Sequence, residues 1–131
     1  MNKSNLGIAA VALDLTRQGW VVCTPLSEHA WFDLVAVSGT TTLTIQCKYR
    51  SVVDGKVEVA VNNYRNDSSG NVAHKHLPVD YYAVTDGDSV AYVPYEEVCD
   101  LKGSFSLRVE PPKNHQQQNI RLFEDYKIMG V

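Results

Sequence analysis

Two short apolar segments, Trp31 to Val37 and Thr42 to Lys48, carry polar residues where a buried strand is normally dry. Both have the β-branched and aromatic content of strands, and Ser38-Gly39-Thr40 between them reads as a hairpin connection. Asp33 opens the first strand. On the second, Gln46 and Lys48 stand two residues apart, so a strand projects both from one face and turns Cys47 to the other, core side. A carboxylate, an amide and an ammonium thus gather on one surface. Burying a polar group without a hydrogen-bond partner costs roughly 2 to 7 kcal/mol, so the arrangement calls for a compensating ligand. A divalent cation together with a phosphodiester has the complementary charge pattern. A plainer alternative has Asp33 ending a turn, Gln46 on the solvated face of an edge strand, and Lys48 lying along it with its head in water.

The rest of the chain supplies a frame for such a surface. Lys3 to Gln18 is predicted to be a helix, with Leu6, Ala9, Ala10 and Leu13 at i, i+3, i+4 and i+7 and Gly19 as its stop. Ile8, Val11, Ala12 and Leu15 widen the apolar stripe, so burial on more than one side is expected, against a sheet and a second subunit. Trp20 to Thr24 reads as a strand ended by Pro25, and Asp54-Gly55 as a turn before a strand at Val57 to Val61. Asn62 to His76 is polar and rich in Gly, Ser and Asn, and is expected to be a long surface loop. Asp80 to Thr85 and Ser89 to Val93 read as a hairpin, followed by a short helix at Tyr95 to Cys99 and an edge strand at Ser104 to Val109. A polar loop at Glu110 to Gln118 then leads to a last helix, Ile120 to Tyr126, capped by Asn119.

Length and composition fit one domain over residues 1–131 with a single core. No apolar run approaches the length needed to span a membrane and no leader pattern opens the chain, so a soluble, cytoplasmic protein is expected. Cys23, Cys47 and Cys99 are odd in number and lack C-x-x-C spacing, which argues against a disulfide framework and a zinc ribbon. His74 and His76 have no third ligand nearby, and zinc is not expected there. The net charge of -3 excludes a generic basic coat. Charge is nonetheless uneven. Lys48, Arg50, Lys56, Arg65 and Lys75, with His74 and His76, fall mid-chain, whereas Asp86, Asp88, Glu96, Glu97 and Asp100 come later.

Asp33, Gln46 and Lys48, on short adjacent strands after a helix, resemble the core of the PD-(D/E)XK nuclease superfamily. The similarity is greatest to its intron-encoded homing endonucleases, in which Gln takes the place of the usual acid of E-x-K. Resembling segments are Arg17 to Val22 leading to Pro25-Leu26, Phe32 to Val35, Ile45 to Lys48, Val79 to Val84, and Ala91 to Pro94, in the expected order along most of the chain. The resemblance implies an α/β fold with a restriction-endonuclease-like core, a central mixed sheet flanked by helices. It implies a metal-dependent endonuclease acting on double-stranded DNA, with Asp33, Gln46 and Lys48 catalytic and Mg²⁺ or Mn²⁺ as cofactor. The metal would be held by Asp33, the Gln46 side-chain oxygen and the Cys47 main-chain carbonyl, with Lys48 orienting the attacking water or neutralising phosphate charge. Arg50, Arg65, His74 and Lys75 are the expected DNA contacts, and each phosphate neutralised would add roughly -0.9 to the salt slope.

The family usually also carries a glutamate on the first helix, near the position held here by Ile8. The helix's one acid, Asp14, lies six residues on and is rotated by about 600°, onto a different face. Glu28 or Glu58 is the remaining source of a carboxylate. A small domain reading a long duplex implies a homodimer or homotetramer. Two alternatives stay open: a Holliday junction resolvase, which reads DNA shape, and a DNA-binding protein with a degenerate nuclease site.

Overall fold

A computed structural model describes residues 2–61, 64–66, 72–75, 79–110 and 120–130, the second and third of these stretches by their backbone. Helix α1 spans Lys3–Arg17. The Asn2 side chain accepts the Ser4 backbone N–H at 2.9 Å, satisfying one of the donors that a helix start leaves open. Gly19, at φ +93°, turns the chain out of the helix with a conformation that side chains disfavour. The helix extent agrees with the sequence pattern, but the buried face differs. Gly7, Val11 and Leu15 are buried with Ile8 and Ala12 beside them, while Leu6 and Leu13 of the expected stripe are 38% and 53% exposed. The reason is contact distance: a Cβ on Gly7 would lie 3.2 Å from Tyr49 Cβ, so the glycine face is the one that can approach the sheet.

That sheet has five strands in the order β1 (Val21–Cys23), β2 (Leu34–Ser38), β3 (Thr41–Tyr49), β7 (Tyr81–Thr85) and β8 (Val90–Pro94). β1, β2 and β3 run as an antiparallel meander, with Leu34 opposite Ile45. β3 then pairs in parallel with β7, Gln46 opposite Tyr82 and Lys48 opposite Val84, and β7 returns antiparallel as β8. The expected central mixed sheet is therefore present. β3 is its middle strand, so the edge-strand alternative for Gln46 does not apply.

Parallel pairing of β3 with β7 requires a crossover, and the connection holds further strands. β4 (Lys56–Val61) pairs antiparallel with β9 (Gly103–Arg108), and β5 (Tyr64–Asn66) with β6 (Val72–Lys75). The β5–β6 pair corrects the expectation of an unbroken loop from Asn62 to His76: backbone pairing overrides a composition poor in strand formers. Asp54 and Gly55, at φ 54° and 74°, make the tight turn ahead of β4. Helix α2 spans Tyr95–Val98 after β8. The last helix is also shorter than expected, a single 3₁₀ turn at Phe123–Tyr126. Residues 111–119, including the loop and the Asn119 cap, lie outside the described residues.

Two cores, where a single one was expected, share the central sheet, because both of its faces are covered. On one face α1 packs Val11 and Leu15 against Leu34, Ala36, Ile45, Ala83 and Tyr92, with Cys47 at the margin. On the other, β4 and β9 bring Val57, Val59, Val61, Phe105 and Leu107 onto Tyr82, Val84, Ala91 and Val93. Strand alternation thus places Gln46 and Lys48 on the same face as Tyr82 and Val84, opposite the helix. Among the described residues no helix is long and apolar enough to cross a membrane.

Candidate active site

Asp33 stands one residue before β2 and is held twice. Its backbone N–H donates to the Ile45 carbonyl at 2.9 Å. Its carboxylate oxygen Oδ2 accepts the Cys47 backbone N–H at 2.8 Å, so the side chain takes a place in the β2–β3 ladder that main chain would otherwise fill. The acceptor thereby sits against the peptide joining Gln46 to Cys47. Among the described residues the other carboxylate oxygen has no partner, and it remains available to a ligand. A charge-assisted bond to backbone fixes the carboxylate without neutralising it.

Gln46 and Lys48 flank that peptide on β3, both half-buried. Burial, and then the Arg50 guanidinium, push the Lys48 ammonium below its usual pKa, while the Asp33 carboxylate pulls it back up. The amine and the acid therefore sense each other. Arg50 is itself half-buried: its backbone N–H donates to Thr85 O at 2.9 Å and one guanidinium nitrogen donates to Tyr49 O at 2.8 Å. Cys47 faces the helix side, where burial, and secondarily Asp33, raises its thiol far above the usual range, so it stays protonated and is no nucleophile.

The first helix brings no acid to this place. Ile8 packs against the core beneath α1. Asp14 is occupied: it accepts the Tyr92 hydroxyl at 2.5 Å and the Gln18 amide at 2.8 Å, on the helix face of the sheet. Burial first, then this bond to Asp14, raises the Tyr92 hydroxyl well above an ordinary tyrosine. Glu58 is exposed on β4, where Ser104 Oγ donates to it at 3.4 Å, and alternation directs it away from the core that β4 shares with the sheet. Glu28 is exposed in the segment before β2. Among the described residues no three His, Cys, Asp or Glu side chains converge as a metal cage. The available donors are hard oxygens: one free Asp33 oxygen, the Gln46 amide oxygen and the Cys47 carbonyl. That chemistry fits Mg²⁺, which takes one or two carboxylates and otherwise keeps water and phosphate oxygens.

The structure thus brings Asp33, Gln46 and Lys48 together at one end of β3, with Arg50 next to them. The side chains of Arg65, His74 and Lys75 lie outside the described residues, as does His76 altogether. Sequence reasoning missed the ladder bond from Cys47 to Asp33 and the Tyr92–Asp14 pair. The first depends on where β2 begins; the second joins residues 78 positions apart, and its one local signal is a lone acid on an apolar helix.

Residues 1–129 match the family profile described as PD-(D/E)XK endonuclease. Among solved structures, the fold is similar to that of a bacterial homing endonuclease, I-Ssp6803I, at 18% sequence identity and a TM-score of 0.72, over 95% of this chain and 86% of that one. No curated protein sequence matches.

Proposed function

Because the chain belongs to the PD-(D/E)XK endonuclease family, we propose that it is a divalent-metal-dependent nuclease cleaving phosphodiester bonds in double-stranded DNA, in the manner of a homing endonuclease. One observation carries the reading. The Asp33 carboxylate is pinned by one oxygen to the peptide between Gln46 and Cys47, which leaves the other oxygen without a partner among the described residues, on a carboxylate near enough to Lys48 to act on its ammonium. Asp33, Gln46 and the Cys47 carbonyl would hold Mg²⁺ or Mn²⁺. A cation there would neutralise charge on the scissile phosphate and acidify a water molecule. Lys48 donates hydrogen bonds to a phosphate oxygen, and its partial burial strengthens that interaction by excluding solvent. Gln46 supplies an oxygen without a charge, so the site carries one negative ligand and holds metal weakly. Arg50, with one guanidinium nitrogen donating to the Tyr49 carbonyl, has others left for a neighbouring phosphate; Arg65, His74 and Lys75 are proposed to extend the contact.

Recognition of a long target by a chain of this size is proposed to use a homodimer or homotetramer. The Leu6 and Leu13 stripe left exposed on α1 supports association. The decisive experiment incubates supercoiled plasmid with Mg²⁺ and the wild-type chain, Asp33→Ala or Lys48→Ala. Nicking by the wild type alone supports the proposal, and equal nicking by all three overturns it. Specific binding without cleavage identifies a degenerate site, a reading favoured by Ile8 in the core. Faster cleavage of a four-way junction than of a linear duplex identifies a resolvase.

A further inference from the structure

The segment from Thr24 to Phe32 leads directly into Asp33, and it presents an aromatic side chain to solvent. Trp31 is 41% exposed, a large apolar surface for a residue beside a buried sheet. It is not loose. The Phe32 ring meets it edge to face, with centroids 5.1 Å apart and planes at 83°, and Asp33 immediately after is fixed through both its N–H and its carboxylate. The indole therefore stands two residues from an anchored carboxylate, with a second ring against it.

Two residues span at most about 7 Å of chain. A phosphate at Asp33 therefore brings its duplex within reach of Trp31, because a groove opens on either side of every phosphate. We infer that Trp31, braced by Phe32, contacts the duplex beside the scissile phosphate as an apolar wedge at a base step, and so makes the site select steps that unstack easily. The inference rests on the nuclease reading above. Wedging side chains partly unstack the step they enter, and pyrimidine–purine steps such as TA and CA yield most readily. An aromatic wedge held in place gives up little conformational freedom on binding, which distinguishes it from an exposed aliphatic side chain on the same segment such as Leu26.

The sequence contains two tryptophans, and the other, Trp20, is buried under α1. In the full chain carrying Trp20→Phe, indole emission reports Trp31. Titration with a linear duplex in Ca²⁺ is expected to quench that emission in parallel with the rise in anisotropy of a dye on the duplex. Trp31→Ala is expected to slow cleavage about tenfold, the size of one lost stacking contact, and to level the rates on duplexes with a TA or a GC step at the cut, whereas Trp31→Phe retains the preference. Should Trp20→Phe not fold, the difference in emission between wild type and Trp31→Phe gives the same readout. Rising anisotropy with unchanged Trp31 emission overturns the inference and leaves the nuclease reading standing. Neither binding nor cleavage overturns both. A fall in sedimenting mass for Trp31→Ala, with its cleavage preference intact, assigns the indole to a contact between copies of the chain and overturns the wedge.

Discussion

Two aspartates on opposite faces of the central sheet, Asp14 and Asp33, are treated differently. On the helix face Asp14 receives the Tyr92 hydroxyl and the Gln18 side-chain amide, and the Gln18 Oε1 in turn accepts the Met129 N–H at 3.1 Å, so the group forms a network binding α1 to β8 and the C-terminal segment. On the opposite face, at the end of β3, Asp33 receives one backbone N–H and keeps an oxygen free among the described residues. A satisfied polar group contributes stability; one left with capacity beside an ammonium is poised for a ligand. Residue type does not distinguish them. Their donors do.

The largest effect should come from removing charge at Asp33 while keeping its ladder bond. In Asp33→Asn the amide oxygen still accepts from Cys47 N–H, so stability should change by less than about 1 kcal/mol. Cleavage of plasmid in Mg²⁺ should fall on the order of 10² to 10³-fold, the usual loss when one group stabilising transition-state charge is removed. A matched loss of stability in chemical denaturation would merge the two aspartates into one structural class and break the comparison.

The grouping of Asp33, Gln46 and Lys48 was legible in the sequence because strands alternate with period two, and that period survives any tertiary context. The strands followed from the same apolar runs, whereas the mixed order of the sheet came from the resemblance to the nuclease family. The face of α1 was not legible: the helix is apolar nearly all round, so periodicity offered two stripes, and only the close approach of Gly7 to Tyr49 selects between them. The β5–β6 pair was hidden by polar residues whose pairing is a backbone matter. Helix rotation alone did not show where Asp14 goes: both it and Ile8 meet the core on the helix face, and its tie to Tyr92 spans most of the chain with no local signature.

On the helix face, Asp14→Ala should destabilise the fold by about 1 to 3 kcal/mol, because the buried Tyr92 hydroxyl loses its acceptor, with cleavage unchanged below the melting transition. The network also sets an alkaline limit. The folded state holds the Tyr92 proton more tightly than the unfolded chain, whose tyrosine titrates near 10.0. The stabilisation is therefore complete below pH 10 and is lost as pH rises from there toward the folded value. Tyr92→Phe should flatten the fall in stability above pH 10, measured by denaturant titrations at successive pH values. It should not abolish that fall, since burial and then Glu97 raise Tyr126 in the same direction.

A smaller effect would move character from one face to the other. Ile8→Glu adds the acid that the family usually carries near this helix position. We expect the Mg²⁺ concentration for half-maximal cleavage to fall about tenfold, as for gain of a supporting ligand. Stability should drop, because Ile8 gives up contacts with the core. An unchanged metal requirement would mean that position 8 does not reach the Asp33 end.

The smallest effect tests whether the faces are independent at all. Gly7→Ala should favour the helix by about 1 kcal/mol from propensity alone. Its new methyl, however, lies 3.2 Å from Tyr49 Cβ, an atom anchored on β3 and not the far end of a flexible chain. Overpacking of that kind typically costs about 1 to 3 kcal/mol, so the net should be slightly destabilising. Tyr49 is the residue after Lys48, and strand alternation sends the two side chains to opposite faces. Relief of the clash by a shift of β3 would carry the amine with it, lowering cleavage a few-fold alongside stability. Relief by a tilt of α1 would lower stability alone. Comparing plasmid nicking with denaturant midpoints for this one variant therefore measures how rigidly the helix face positions the face that carries Lys48.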